Sequence, residues 1–136
     1  MSSDIRWKQR FQNLLKAFNL LQEAATAEHL SALESEGLIQ RFEYTFELSW
    51  KTLKDYLELK GVAVQFPRDV IKEAFRAGLL DDGESWIEML EKRNVLAHTY
   101  NEMQFRESVT AVRDRFYPRV HDLIKRLEEH RLDEHA

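Results

Sequence analysis

Apolar residues recur along this chain with the spacing of helices rather than the alternation of strands. Trp7, Phe11, Leu14, Leu15, Phe18, Leu21 and Ala25 fall at i, i+4, i+7 and i+8 intervals, which lays one apolar stripe along a helix of about five turns. Ile39, Phe42, Phe46, Ser49, Trp50, Leu53 and Leu57 repeat the rhythm in a second helix, and Gly61 stands where a left-handed C-cap would end it. Two starts suit that helix: Ser31 with Glu34 has capping-box spacing, and Gly37 offers a later one.

After GVAVQF, Pro67 suits the first turn of a short helix that runs through Ala77 and ends at Gly78. Asp81, Asp82 and Gly83 then reset the chain. A third major helix is predicted from near Glu84 and a fourth from about Glu102 to Leu132, with Phe105, Val109, Val112, Phe116, Val120, Leu123 and Leu127 on one face. Pro118 removes a backbone donor within the fourth and crowds the carbonyl four residues back, which predicts a bend. Four amphipathic helices with short connections, and no strand signal beyond VAVQF, predict an all-α fold. Its form is an antiparallel up-and-down four-helix bundle with one extra short helix.

The 136 residues, 43% hydrophobic and 32% charged, suit one soluble domain over 1–136 that buries a core without disulfide or metal staples. No cysteine is present, so thiolate chemistry is excluded. No stretch approaches the roughly 20 apolar residues of a spanning helix, and MSSDIRWKQRF lacks a signal-peptide core. A cytoplasmic location without membrane association is expected. The net charge of −4 argues against a whole-surface nucleic-acid binder, so any such contact must be local.

Candidate chemistry gathers in EKRNVLAHTYNE, Glu91 to Glu102. On a helix from Trp86 to His98, Trp86, Leu90 and Ala97 mark an apolar face, and Arg93 falls within about 40° of its centre. A guanidinium there is costly unless it meets an acid, a carbonyl or a phosphate. His98 lies about 140° around from Arg93, whereas Asn94 and His98 form an i, i+4 pair. Arg93, His98 and Tyr100 therefore cannot converge on a straight helix. A helix ending around Ala97, or a second copy across a two-fold axis, would bring them together. The alternatives are plainer: a structural ion pair for Arg93, a dipole complement for His98, a packing group for Tyr100.

Glu43, Glu47, Lys51 and Asp55 follow one another at i+4, either as a solvated ion-pair ladder or as the lining of a cleft or partner surface. Arg115, Arg119 and Arg126 are interrupted by Asp122, a mixed face. His29, His121, His130 and His135 lack metal-ligand spacing, and no glycine loop cradles phosphates. No metal or cofactor is expected.

RNVLAHTY resembles the Arg-x4-His-x-Tyr signature of HEPN domains, the higher eukaryote and prokaryote nucleotide-binding domains. RFEYTFELSWKTLKDYLE, FPRDVIKEAFRAGLL and WIEMLEKRN resemble segments of the nucleotidyltransferase substrate-binding proteins, the HepT-like branch encoded beside minimal nucleotidyltransferases. The similarity runs from about Gln40 to Tyr100. It implies a helical bundle that forms a homodimer in which the two motifs face each other, with Arg93, Asn94, His98 and Tyr100 all matching. It further implies either a metal-independent endoribonuclease toxin, silenced when the partner nucleotidyltransferase modifies Tyr100, or a non-catalytic subunit that presents substrate to that partner. For RNA cleavage, His98 suits proton transfer and Arg93 the phosphate oxygens. Asn94 would orient His98 or cap the helix end, and Tyr100 would contact RNA or accept the nucleotide.

Overall fold

The computed structural model describes residues 2–98 and 101–133, with His98 and Asp133 described by backbone alone. The apolar stripes become α1 (Ser3–Ala25), α2 (Ala32–Leu59), the short α3 (Pro67–Arg76), α4 (Gly83–His98), α5 (Glu102–Ala111) and α6 (Tyr117–Asp133). A π-helical segment, Val112–Phe116, joins α5 to α6, so these two form the fourth long helix. No strand occurs among the described residues, and VAVQF runs as a connection.

Helix ends follow local chemistry. Ser31 and Glu34 close a full capping box, with the Glu34 amide donating to Ser31 Oγ at 3.1 Å and the Ser31 amide donating to Glu34 Oε1 at 2.8 Å. This fixes the start of α2 at Ser31 and leaves Gly37 inside the helix. Gly61 and Gly78, with φ of 87° and 78°, take the left-handed conformation that ends α2 and α3 at little steric cost.

Ion pairs and ring contacts set the directions. Arg10 Nε lies 2.9 Å from Asp55 and Trp7 packs on Tyr56, while Arg41 reaches the Leu20 carbonyl at 2.7 Å, so α1 and α2 are antiparallel. Phe42 stacks on Phe116 and Tyr56 bonds His130, which runs α6 alongside α2 in the same direction. Arg115 to Glu88 and Arg119 to Asp82 run α4 against α6. Up-and-down order follows.

The core lies between these four. Trp7, Phe11 and Leu14 from α1, Leu38, Phe42, Phe46 and Leu53 from α2, Met89 from α4, and Val112, Phe116 and Leu127 are fully buried. Burying each large side chain stabilises the fold by about 1.5–3 kcal/mol. Val70, Ile71 and Ala74 seal α3 onto the bundle.

Pro118 acts one turn upstream of itself. The Tyr117 amide donates to the Val112 carbonyl, five residues back, so the turn ahead of the proline is widened rather than α-helical. This wide turn accommodates a ring that would otherwise press on a carbonyl.

Candidate functional site

Arg93 projects from α4 toward α2. Its guanidinium lies 5.7 Å above the Phe46 ring centroid and forms an ion pair with Glu47 Oε1. The second Glu47 oxygen accepts from Trp50 Nε1 at 3.1 Å and lies 3.9 Å from Lys51 Nζ. Glu47 therefore ties one arginine, one tryptophan and one lysine together. Of the acid, carbonyl or phosphate that the apolar-face position of Arg93 called for, the structure supplies an acid, Glu47.

The side chain of Arg93 is 24% exposed, and its Nε is buried with no hydrogen-bond partner. Phe46 beneath it is itself buried against Phe42 and Trp86. A cation set over a rigid ring keeps a defined direction.

Glu43 stands one turn before Glu47. Burial raises its carboxyl above the ordinary carboxylate range, and the nearby Arg93 charge only partly opposes this. The folded protein thus holds a proton on Glu43 more readily than the unfolded chain. Where the carboxyl is ionised in both states, folding bears the burial cost of the charge; below the unfolded value, near 4.5, that cost is gone. Glu43→Gln is therefore expected to raise the melting temperature slightly at pH 7, with the gain shrinking toward pH 4. Thermal melts of the two proteins across that range check it, and an equal or lower melting temperature at pH 7 would contradict it.

The Glu43, Glu47, Lys51, Asp55 stripe is thus not one solvated ladder. Asp55 is buried and paired to Arg10 across the α1–α2 seam, while Glu47 turns to α4. Arg115, Arg119 and Arg126 are held by Glu88, Asp82 with Asp122, and Asp81. They act as clamps between elements.

Asn94 is exposed on α4 and outside the Glu47 cluster. The backbone of α4 stays helical through His98, which sets Arg93 and His98 about 140° apart around the axis. The His98 side chain and Tyr100 lie outside the described residues. Asn101 restarts the chain as the N-cap of α5, accepting from the Gln104 amide at 3.0 Å. Among the described residues no group of three or more His, Asp or Glu is placed to hold a metal ion. None of the described helices is long and apolar enough to cross a membrane.

The helical bundle, with Arg-x4-His spacing toward the end of α4, matches the HEPN class. Residues 9–129 match the family described as nucleotidyltransferase substrate binding protein like, and the chain belongs to that family. It is 34% identical over 71 residues to "Probable ribonuclease HepT" of Haemophilus influenzae, a stretch covering 48% of this chain and 49% of the relative. The chain thus spans about half the length of the curated relative it matches. A crystal structure from Thermus thermophilus is similar with a TM-score of 0.78 and 37% identity, covering 84% of this chain and 98% of that one.

Proposed function

We propose that this chain, one HEPN domain over residues 1–136, is the HEPN partner of a minimal nucleotidyltransferase and acts as a metal-independent endoribonuclease toxin. The observation that carries this reading is the Arg93 guanidinium, held over Phe46 by Glu47 with its Nε unpartnered, at Arg-x4-His spacing from His98. The name of the Haemophilus relative supports it.

In the reaction, neutral His98 takes the proton of an RNA 2′-hydroxyl and that oxygen attacks the adjacent phosphorus. The bond to the 5′-oxygen breaks, and the imidazolium of a second copy returns a proton to the leaving oxygen. A 2′,3′-cyclic phosphate and a 5′-hydroxyl result. Arg93 from each copy carries the extra negative charge of the transition state, and Asn94 orients His98. A homodimer explains how the 140° offset is overcome, because each copy supplies what the other points away. Exposed Val95 and Met103, 39% and 70% accessible beside the motif, support such pairing.

Tyr100 is the switch in this scheme. Its hydroxyl gives up a proton to solvent as the oxygen attacks the α-phosphorus of a nucleoside triphosphate held by the partner, pyrophosphate leaves, and the bound phosphate anion then occupies the place of RNA near Arg93. Glu43, Glu47 and Lys51 form the adjoining cleft or partner surface. The setting is the cytoplasm.

Cells expressing the wild-type chain are expected to stop growing and lose intact RNA, and cells expressing His98→Ala to do neither. Co-expression of the minimal nucleotidyltransferase should restore growth to the wild type but not to Tyr100→Phe. Equal growth and intact RNA with wild type and His98→Ala would overturn the ribonuclease reading. The second reading, a non-catalytic subunit that presents substrate to the nucleotidyltransferase, is favoured by the family's description. It requires the partner's transferase activity to depend on this chain.

A further inference from the structure

Glu47 has two cations within reach and one fixed donor. Its Oε1 meets the Arg93 guanidinium, while Oε2 accepts from Trp50 Nε1 at 3.1 Å and lies 3.9 Å from Lys51 Nζ. Lys51 is the rival of Arg93. It follows Glu47 at i+4, the spacing at which glutamate and lysine pair along a helix, and its side chain is 43% exposed. A carboxylate swung fully to Lys51 would leave Arg93 over Phe46 without its acid.

Phe46 does not replace that acid. A ring face holds a cation above itself without fixing its turn about the ring normal, whereas a carboxylate oxygen on one arm of the guanidinium fork does fix it. Trp50 decides where the carboxylate goes. Its indole is half-buried and packed against the core, and its single N–H serves Glu47. With Oε2 on that peg, Lys51 stays at the outer limit of an ion pair, its ammonium 5.9 Å over the Trp50 ring, and Oε1 is left to Arg93.

We propose that Trp50 is a positioning residue for the Arg93 site: its indole N–H holds Glu47 in the rotamer that aims the guanidinium, and keeps Lys51 from taking the carboxylate. The effect on cleavage rests on the ribonuclease reading, whereas the aiming is a property of the folded chain alone. Each is measured separately.

Single-turnover cleavage of a defined RNA compares wild type, Trp50→Phe, Arg93→Ala and the double variant. Trp50→Phe is expected to slow cleavage about tenfold, since a small misplacement of a reacting or stabilising group costs one to two decades, and to leave RNA affinity within about twofold. In the Arg93→Ala background it should slow cleavage no further, because two residues acting through one contact are not additive. Lys51→Met, which removes the rival, should restore much of the rate to Trp50→Phe. An equal loss in both backgrounds, no loss in either, or a Trp50→Phe defect that Lys51→Met leaves untouched would overturn the proposal.

Spectra of the 15N-labelled chain without RNA read the aiming. The Trp50 indole N–H signal, assigned by its absence from Trp50→Phe, is expected to shift in Glu47→Gln, while that of Trp7, which donates to Asp4 at 3.3 Å, stays in place. The Arg93 side-chain N–H signals should broaden or merge in Trp50→Phe as the fork is released. A Trp50 signal indifferent to Glu47→Gln would overturn the proposal, and this arm keeps the native tryptophan should Trp50→Phe fail to fold. If wild type cleaves no RNA, the ribonuclease reading falls and the spectra alone decide whether Trp50 aims Arg93.

Discussion

Arg93→Ala is expected, on the proposed ribonuclease reading, to lower RNA cleavage by about 10²–10³-fold, the usual cost of removing one preorganised donor from a developing anion. Stability should change far less. The two side chains of the pair are 24% and 30% exposed, so losing it costs on the order of 1 kcal/mol. Glu47 keeps its bond from Trp50 and its neighbour Lys51, which spares it from being left alone. Arg93→Lys retains the charge but not the planar fork, and should fall between wild type and alanine. Single-turnover cleavage of a defined RNA, beside thermal melts of the same preparations, measures both quantities. If cleavage fell only as much as the folded fraction, Arg93 would be a structural ion-pair residue and nothing more.

Phe46→Ala is expected to cost about 3–5 kcal/mol of stability, a fall in melting temperature of roughly 10–20 °C for a chain of this length. Phe46 is fully buried, 6.1 Å from Phe42 and 6.2 Å from Trp86 between ring centroids, and it carries Arg93 on its outer face. The cavity would open beneath the candidate site itself. Phe46→Leu restores most of the volume but not the ring under the cation. It should recover much of the stability while leaving cleavage below wild type. Full activity in Phe46→Leu would show that Glu47 alone directs Arg93.

The fold was legible wherever one residue's chemistry has a short reach. The stripe from Trp7 to Ala25 and the glycines at 61 and 78 mark their elements without help from the rest of the chain, whereas the capping pair at Ser31 and Glu34 shared the start of α2 with Gly37 as a rival, and the closed box decides between them. Pairings across helices were not legible. Asp55 and Glu47 stand two turns apart on one stripe, yet one is buried against Arg10 of α1 and the other serves Arg93 of α4. Only the packing of α2 between those helices separates their roles.

At the candidate site, spacing alone says that Arg93 needs an acid, a carbonyl or a phosphate, but not which of them or where on the chain. The same spacing marks Trp50 and Phe46 only as core-stripe residues, although Trp50 also donates to Glu47 and Phe46 also bears Arg93. A signal existed: a tryptophan three residues after a glutamate on a helix lies within reach of it. The capping role of Asp82, which accepts from the Ser85 amide at 3.0 Å and from Ser85 Oγ at 2.7 Å, was readable only as a break in the chain. These hydrogen bonds also hold its carboxyl below the ordinary range.

The wide turn at Val112–Phe116 bears on how this sequence can change in length. A π turn stores one residue more than an α-helix needs to cover the same ground, so the fourth helix contains a single residue of slack. Loss of one residue elsewhere along α5 or α6 would swing everything beyond it by about 100° and turn Leu123 and Leu127 out of the core. Loss of exposed Asp114 from the wide turn would instead draw it closed and leave both flanks facing as before. Pro118 opposes that closure, because a tightened turn would again push a carbonyl against its ring. A one-residue deletion in this helix is thus absorbed only at that turn, with the proline as its latch.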